Sequence, residues 1–300
     1  MDQALLVFIT AVERGNFTRT AEELHMTQPA VSQYIQSLER SMGTRLLDRT
    51  NKYVKLTKAG QIVYEYALQM KGLYFKMHSL VDDLMHNAGG ELSIGASYTY
   101  GEYILPHVIA RMRSEYPLIK PRISIGNTKE IAEAVLNHRL DIGIIEGELS
   151  HEKLTVQPFA EDLMYIIVPG DHRLCKQSKI SARDIEHEPW ILREPGSGTR
   201  EAADKMFSSL GFHPQEMVEF GSTQIIKESV EAGLGVTLLS EWVVRKELSL
   251  GSLAMLRLPE TPVCRHFSWV MLHTEFKTKA VEVFMDLLQN QDNPGKRGQH

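Results

Sequence analysis

The sequence predicts an α/β protein that begins with a winged helix-turn-helix, continues into a long linker helix and ends in two doubly wound lobes. Two short amphipathic helices within residues 18–39 are separated by a break at Met26 and Thr27. Apolar residues between 63 and 84 then repeat at alternating spacings of three and four. Beyond residue 89, short apolar strands alternate with amphipathic helices, which is typical of a parallel, doubly wound sheet.

The composition limits the classes of protein to consider. The 300 residues carry a net charge of −5, and their apolar and charged fractions are those of an ordinary soluble protein. No uninterrupted apolar run is long enough to span a bilayer, so we expect no membrane partner. Asp2 and Gln3 stand where a signal peptide would carry positive charge, which predicts a cytoplasmic location.

The residues that usually carry catalysis or metal binding form no recognisable motif. The twelve histidines are scattered, and there is no HExxH, nucleophile elbow or paired acidic cluster. Cys175 and Cys264 are far apart and lack metal-ligand spacing, so we expect two reduced thiols, with a redox-sensing pair as the alternative. We therefore expect no enzyme activity, no catalytic residue, no metal and no cofactor.

The two short helices have the features of a DNA-reading pair. Thr27 suits an N-cap, and Pro29 is tolerated in the first turn of the second helix. Leu24, Val31 and Ile35 supply an apolar inner face. Two helices so arranged predict a helix-turn-helix whose second helix enters a DNA major groove, and thus a DNA-binding regulator.

The segment that follows predicts a two-stranded wing. Residues 44–56 alternate in polarity, with a turn at Thr50 and Asn51. Residues 1–58 carry eight Lys or Arg against six Asp or Glu, whereas the rest of the chain has seven more acidic than basic residues. A locally cationic end with hydroxyl groups at the wing tip suits contacts with the phosphate backbone.

A long helix, capped by Thr57 and extending to about residue 87, carries the apolar repeat. Its seam consists of Val63, Tyr66, Met70, Leu73, Met77, Leu80 and Leu84. Such a seam predicts a coiled-coil partner. Dimerisation through this helix is favoured because helix-turn-helix proteins read paired half-sites, and a dimer interface must set the distance between the two DNA-binding units. The alternative, a helix packed on its own domain, is left open because seams of three heptads also occur in globular cores.

After a linker at residues 88–90, two groups of strands and helices follow. We predict strands at 92–96, 122–126, 141–146, 164–168, 190–192, 217–220, 235–239 and 267–272. We predict helices at 104–116, 129–138, 199–210, 223–232 and 278–288. The chain crosses between the groups in the middle and near the end, which suggests two lobes with a cleft between them. The tail from Asn290 is predicted to be disordered.

The chain resembles LysR-type transcriptional regulators over nearly its full length. The resemblance rests on FTRTAEEL at 17–24, TQPAVS at 27–32, LE at 38–39, GTRLLDR at 43–49, LTKAG at 56–60 and DIGI at 141–144, with GST at 221–223 and VEAGLGV at 230–236 in the second lobe. It implies a dimerising linker helix, an effector domain of periplasmic-binding-protein type, an inducer in the interlobe cleft, and homodimers or homotetramers that bend promoter DNA. RNA polymerase is a further implied partner.

With this resemblance, we predict five segments. They are a winged helix-turn-helix DNA-binding domain at 1–58, a dimerisation linker helix at 59–88, effector lobe 1 at 89–161 plus 267–290, effector lobe 2 at 162–266 and a disordered tail at 291–300. The protein is expected to be an activator. An enzyme is disfavoured, and a solute-binding protein would leave residues 1–87 unexplained. The operator and the inducer stay open.

The DNA-binding residues are predicted by matching positions to the recognition helix and wing of the family. They are Thr27, Gln28, Pro29, Ser32, Gln33, Gln36, Arg40, Arg49, Thr50 and Lys52. Many relatives have Arg where this chain has Gln33 and Gln36, so adenine-type contacts are favoured over guanine reading. The alternative for any one of them is an ordinary exposed polar residue.

The effector-binding residues are predicted where strands end and helices begin. They are Ser97, Tyr98, Thr99, Asn127, Thr128, Glu146, Gly196, Ser197, Gly198, Thr199, Arg200, Ser222 and Thr223. Free N–H groups and hydroxyls at such positions favour anions, although simple N-capping explains each Ser or Thr equally well. The loop at 195–199 resembles that of regulators of sulfur and carbon assimilation. A small anionic metabolite is the working hypothesis, and because Glu146 would repel a plain anion, a zwitterion or hydroxylated acid is also considered.

Overall fold

A computed structural model describes residues 1–50, 53–85, 89–177, 179–274 and 276–289, and for residues 49, 50, 53, 84 and 85 it describes the backbone alone. The chain divides into two compact units. One is built from Met1–Met85, and the other from the bulk of the chain that follows. Each has its own hydrophobic core.

The first unit is a helical domain with a two-stranded sheet. Its described elements are α1 (Gln3–Arg14), α2 (Phe17–Glu23), α3 (Gln28–Met42), β1 (Leu47–Thr50), β2 (Tyr53–Leu56) and α4 (Lys58–Met85). The two strands are antiparallel, with Leu47 opposite Leu56. The predicted winged helix-turn-helix is confirmed, while Asn51, in the predicted wing turn, lies outside the described residues.

Capping groups fix the helix boundaries of this unit. The Asn16 side chain accepts backbone N–H bonds of 2.8 and 3.1 Å at the start of α2, and Thr27 caps α3 in the same way. Gly15 and Gly43 end α1 and α3 with φ angles of 61° and 68°, in the left-handed region that suits glycine. The cap at Thr27 is as predicted.

The core of the first unit forms where α1, α3 and the start of α4 meet. Phe8 and Ile35 are fully buried, Ile35 as predicted, and the ring of Tyr64 on α4 contacts that of Phe8 edge-on at 6.4 Å between centroids. Val7 of α1, which the sequence analysis did not place in the core, is also fully buried. The first turns of α4 thus pack into the helix-turn-helix core.

The second unit alternates strands and helices. Its described helices are α5 (Tyr98–Tyr103), α6 (Leu105–Glu115), α7 (Thr128–Leu136), α8 (Ala182–Glu186), α9 (Gly198–Leu210), α10 (Thr223–Glu231), α11 (Glu241–Leu250) and α12 (Lys279–Gln289), with a 3-10 turn at Arg173–Lys176. Its described strands are β3 (Gly90–Ser97), β4 (Ile119–Gly126), β5 (Ile142–Glu146), β6 (Leu154–Pro169), β7 (Trp190–Arg193), β8 (Met217–Phe220), β9 (Thr237–Ser240), β10 (Leu253–Leu256) and β11 (Val263–Leu272).

Two long strands join the lobes. β11 pairs antiparallel over its whole length with residues 154–164 of β6, with Arg265 opposite Asp162. In lobe 1, β3 pairs parallel with β4 and β5, and β11 closes this sheet antiparallel to β5. In lobe 2, β9 and β10 pair antiparallel with β6, and β7 pairs parallel with β8. The α/β fold class is confirmed, but the sheet is mixed rather than wholly parallel because the crossing strands oppose each other.

Helices cover both faces of each lobe, which is the doubly wound arrangement. In lobe 1, the cluster around Tyr100 and Phe284 lies on one face, and the cluster around Ile131 and Val135 lies on the other. Lobe 2 has an equivalent pair of clusters. No helix within the described ranges is both long and apolar enough to cross a membrane.

Candidate functional site

The polar residues predicted to meet DNA lie together on the exposed side of α3. Gln28, Ser32, Gln36 and Arg40 are spaced by four and form one stripe, in which Gln28 Nε2 lies 3.3 Å from Ser32 Oγ. Ser32 is half-buried, and the other three residues of the stripe are exposed. The neighbouring Thr27, Pro29 and Gln33 are exposed as well. Val31, Ile35 and Leu38 are buried on the opposite side of the helix.

The wing positions are described less fully. Arg49 and Thr50 lie on β1, where the side chains are outside the described atoms, and Lys52 lies outside the described residues. Glu39, which the sequence analysis did not single out as a site residue, accepts the backbone N–H groups of Leu46 and Leu47 at 2.9 and 3.2 Å. This carboxylate therefore holds the start of the wing against α3.

The start of α4 is tied to the same loop. Thr57 Oγ1 donates to the carbonyl of Arg45 at 2.8 Å and accepts the N–H of Gly60 at 2.9 Å, so it caps α4 as predicted. A Cβ at position 60 would lie 2.0 Å from the carbonyl oxygen of Leu46, so the close approach of α4 to this loop requires glycine.

Beyond the helix-turn-helix core, α4 exposes most of its apolar seam. Tyr66, Met70, Leu73 and Met77 are 48–61% exposed. Val63 packs into the core of the first unit, Leu80 is half-buried, and the side chain of Leu84 is not described. The four exposed positions are those that a partner helix would cover.

A buried arginine on the crossing strands occupies the centre of the interlobe region. Arg265 Nε lies 2.7 Å from Asp162 Oδ2, and Arg265 Nη1 lies 2.7 Å from Glu146 Oε2. Burial disfavours the charged guanidinium, but attraction to Glu146 and Asp162 outweighs it and raises the pKa of Arg265. Burial raises the pKa of Asp162 despite its pairing with Arg265. Arg265 and Asp162 were not predicted as site residues.

Arg265 also donates hydrogen bonds to two hydroxyl groups that were predicted to bind the effector. Its Nη2 donates to Thr99 Oγ1 of lobe 1, and its Nη1 donates to Thr199 Oγ1 of lobe 2, each at 3.0 Å. Glu146 Oε1 accepts the N–H groups of Thr99 and Tyr100 at 2.8 and 3.3 Å. The amides that open α5 are therefore engaged by a carboxylate of the chain itself.

The other strand ends of lobe 1 are also hydrogen-bonded within the fold. Thr128 Oγ1 donates to the carbonyl of Glu146 at 2.9 Å and lies 3.3 Å from Ser97 Oγ. Asn127 Nδ2 donates to Glu194 Oε1 of lobe 2 at 3.1 Å. These contacts fix the two lobes against each other at the base of the cleft.

The glycine-containing loop begins α9. Ser197 Oγ accepts the N–H of Thr199 at 3.2 Å and caps the helix. A Cβ at position 198 would lie 2.1 Å from the carbonyl oxygen of Glu146, so α9 can approach β5 only with glycine there. Arg200, predicted to add positive charge for an anion, is instead paired with Asp204 at 3.1 Å and Glu219 at 3.2 Å.

A second buried arginine, which sequence reasoning missed, faces lobe 1 from the end of β7. Arg193 binds Glu194 through two bonds of 2.7 and 2.8 Å, donates to Thr223 Oγ1 at 3.0 Å, and lies 4.4 Å from the centroid of the Tyr98 ring. Its hydrogen bonds, with that from Asn127, lower the pKa of Glu194 against the effect of burial. Arg193 is the last residue of the otherwise apolar strand β7. A charged residue at the end of such a strand is the sequence feature from which this site residue could have been predicted.

A cavity of about 910 Å³ opens between α7 and α9. The predicted site residues that line it are Thr128, Gly196, Ser197, Gly198 and Arg200. Ala132, Leu136 and Leu149 give it an apolar wall, and Lys205 Nζ lies 3.2 Å from Glu148 Oε1 across the two lobes. Its volume lies within the range of small-molecule sites. Ser222, at the start of α10, makes no capping bond with its side chain.

The two cysteines lie outside these sites. Cys175 and Cys264 are exposed residues. Partial burial of each sulfur atom, together with nearby carboxylates, raises the pKa of each thiol. Within the described part of the chain, no three His, Cys, Asp or Glu side chains are placed to hold a metal ion.

Comparison with known proteins decides the family. Residues 3–61 match the model of the bacterial regulatory helix-turn-helix protein, lysR family, and residues 86–293 match the LysR substrate binding domain. The chain belongs to the LysR family. It is therefore a DNA-binding transcriptional regulator with an effector-type domain, and the resemblance inferred from the sequence is confirmed.

Three similar proteins place this LysR-family chain among its relatives. The HTH-type transcriptional regulator CysL of Bacillus subtilis is 39% identical over 95% of this chain and 96% of its own length. The HTH-type transcriptional activator CmpR of Synechocystis is 31% identical over 94% of this chain and 92% of its own. The CcmR regulatory domain of Synechocystis, solved in complex with 2-PG, is 27% identical over 67% of this chain and 96% of its own, with a TM-score of 0.61.

Proposed function

We propose that this LysR-family regulator activates transcription from promoters that it binds through α3 and the wing, in response to a small anionic metabolite held between its lobes. The observation that carries the proposal is the exposed polar stripe of α3, on a domain that matches the family's helix-turn-helix. CmpR, a relative, is named an activator, and the related CcmR domain was solved in complex with 2-PG.

On DNA, the amide and hydroxyl groups of Gln28, Ser32, Gln33 and Gln36 contact base edges, because such groups pair well with adenine in the major groove. The N-terminal turn at Thr27 and Pro29 enters the groove first. Cationic and hydroxyl groups bind the phosphates on either side and set the register. These phosphate-binding residues are Arg40, Arg49, Thr50 and Lys52.

The effector binds where the two lobes meet. The proposed limits of the lobes are those predicted from the sequence. The proposed site combines the cavity between α7 and α9 with the predicted strand-end residues around Arg265 and Arg193. Ligand binding changes how the lobes close, which alters the spacing of the DNA-binding units and the bending of promoter DNA.

The regulator acts as a homodimer through the exposed seam of α4, and two dimers join as a tetramer. Support comes from Tyr66, Met70, Leu73 and Met77, whose exposure leaves a continuous apolar stripe for a second copy. Promoter DNA and RNA polymerase are its partners in the cytoplasm, and polymerase is recruited where the protein bends the DNA.

The test is a gel shift of the full chain on DNA upstream of its own gene and of the neighbouring gene, with and without 2-PG, acetate or sulfate. We expect specific binding whose footprint or bend angle changes with one of these anions. A matched chain carrying Gln33→Ala and Gln36→Ala should lose the specific complex and keep nonspecific binding. An unaltered footprint with every anion contradicts the effector part, and failure to bind either promoter contradicts the whole proposal.

A further inference from the structure

An open cleft lies beside the C-terminal end of the recognition helix α3. Its volume is about 660 Å³. It is lined by Gln36, Glu39, Arg40, Gly43, Thr44 and Arg45. Gln36 and Arg40 belong to the polar stripe of α3, so the cleft continues that stripe past the end of the helix. Thr44 and Arg45, in the loop between α3 and β1, were not predicted to contact DNA.

Two arginine side chains give this cleft its positive charge. Arg40 and Arg45 are both exposed, and no carboxylate that the structure describes forms an ion pair with either of them. Arg40 Nε donates to the carbonyl of Gln36 at 3.3 Å. The carboxylate of Glu39, the acidic member of the lining, accepts two backbone N–H groups at the start of the wing. The cleft therefore offers two cations whose charges the described part of the fold does not balance.

The loop that carries Arg45 is fixed on both sides of that residue. Before it, the N–H of Thr44 donates to the carbonyl of Glu39 at 3.2 Å. After it, the N–H of Leu46 donates to the carboxylate of Glu39 at 2.9 Å. The carbonyl of Arg45 itself accepts a bond of 2.8 Å from Thr57 Oγ1. An ordered backbone lowers the entropy lost when the side chain binds a partner.

The length of α3 places this cleft beside the DNA backbone. Arg40 lies about 18 Å from Gln28 along the helix axis, since each residue adds about 1.5 Å. The major groove is only about 12 Å wide. If the first turn of α3 reads base edges, the other end of the helix therefore leaves the groove at the sugar-phosphate backbone.

We infer that Arg45 binds a phosphate of the DNA backbone at this end of α3, beside the phosphate that Arg40 contacts, with the hydroxyl of Thr44 as a further donor. This inference rests on the proposed function and adds a contact that lies outside both α3 and the wing. A guanidinium presents a planar fork of N–H donors that matches the geometry of a phosphate. Neighbouring cations repel each other, so separate phosphates balance Arg40 and Arg45 better than a shared one.

Arg45 is the residue that decides between a phosphate site and a simpler explanation. A cation in the last turn of a helix stabilises the C-terminal end of that helix, and this effect alone accounts for Arg40. Arg45 lies beyond Gly43, which ends α3, so the same explanation does not extend to it.

The experiment measures the salt dependence of DNA binding by the full chain, on both promoter fragments and on a random duplex. The logarithm of the binding constant falls linearly with the logarithm of the salt concentration, with a slope of about −0.9 for each neutralised phosphate. Arg45→Met should reduce the size of this slope by about 0.9 for each DNA-binding unit on the duplex, on promoter and random DNA alike. Its melting temperature should equal that of the wild type because Arg45 is exposed.

Two matched variants separate a phosphate contact from a general effect of charge. Arg45→Lys keeps the cation and should keep the wild-type slope. Arg14→Met removes one positive charge from the same unit, but Arg14 already donates to Glu23 at 2.8 Å, so this variant should also keep the slope.

Chemical ethylation of single phosphates locates the contact on any promoter fragment that forms a specific complex. Ethylation of one phosphate for each bound unit should prevent binding of the wild type and of Arg45→Lys. The same ethylated DNA should bind Arg45→Met as well as unmodified DNA does, because that variant has no contact left to lose.

The outcomes distinguish this inference from the proposed function. An unchanged slope in Arg45→Met, an equal reduction in Arg14→Met, or an ethylation pattern that Arg45→Met leaves complete overturns the inference, and specific promoter binding would still support the proposed function. A reduced slope on random DNA without any promoter-specific complex supports the phosphate contact and contradicts the proposed function. A chain that binds no duplex contradicts both.

Discussion

The recognition helix α3 and the interlobe cleft both carry the polar residues that the sequence predicts for binding, but their surroundings differ. On α3, Gln33 and Gln36 are exposed. In the cleft, Thr99 and Thr199 are buried and accept hydrogen bonds from Arg265. A polar side chain can serve a ligand only with hydrogen-bonding capacity that the fold has not used. We therefore expect changes on α3 to affect binding and changes at the centre of the cleft to affect stability.

The largest expected effect is a loss of unfolding free energy in Arg265→Met. The substitution leaves Glu146 and Asp162 buried without their cation, which typically costs about 3–5 kcal/mol of unfolding free energy. Trp190, Trp242 and Trp269 all lie in the second unit, so tryptophan fluorescence during urea unfolding reports on that unit. The variant should regain part of its stability as the pH is lowered, because protonation removes the buried negative charge.

Arg122→Met is the matched control for this measurement. Arg122 is paired with Glu91 at 2.8 Å, but both side chains are more than half exposed, so its loss should cost less than about 1 kcal/mol. If Arg265→Met proves no more destabilising than Arg122→Met, the central network does not hold the lobes together, and the contrast between the cleft and α3 is wrong.

Sequence reasoning found the cleft but could not assign its internal bonds. Ser97, Thr99, Thr128 and Thr199 were identified because they follow strands or open helices, and all are buried near the interlobe region. Which hydroxyls remain for a ligand depends on Arg265, which follows Thr99 by more than 160 residues. Its pairing with Asp162 arises from the register of β6 and β11, which no local pattern specifies.

The second-largest effect is expected on operator affinity, in Gln36→Ala on α3. Removing a side chain that reads a base should weaken specific operator binding by about 1–3 kcal/mol, which is roughly 5- to 150-fold, without changing nonspecific binding. Stability should stay within about 0.5 kcal/mol of the wild type because Gln36 is exposed. Gel shifts on operator and random DNA at the same salt concentration measure both affinities.

Ser37→Ala is the control, since Ser37 is exposed on the same helix but outside the stripe of Gln28, Ser32, Gln36 and Arg40. It should leave both affinities unchanged. An equal loss on operator and random DNA in Gln36→Ala would show that this residue contacts phosphates rather than bases.

The helix-turn-helix was predictable because its signals are local. Thr27, Gly43 and the buried positions Val31 and Ile35 fix the 15-residue helix α3 and its two caps from local sequence alone. In the second unit, α5 and α11 were missed: α5 is six residues long, and α11 follows β9 directly, capped by Ser240. Short helices of this kind are stabilised mainly by tertiary packing, which the sequence pattern does not reveal.

The smallest effect, on both stability and promoter binding, is expected for substitution of Cys264. This residue lies one position before Arg265 on β11. Successive side chains of a strand point to opposite faces, so Cys264 faces away from the buried network that Arg265 completes. Burial, with Glu161 and Asp162, raises the pKa of its thiol, which lowers the thiolate fraction that reacts with oxidants. Cys264→Ser should change the unfolding free energy by less than about 0.5 kcal/mol.

Promoter binding should be equally insensitive to hydrogen peroxide in the wild type and in a chain with both Cys175→Ser and Cys264→Ser. Peroxide sensitivity that disappears in the double variant would assign these thiols a redox role.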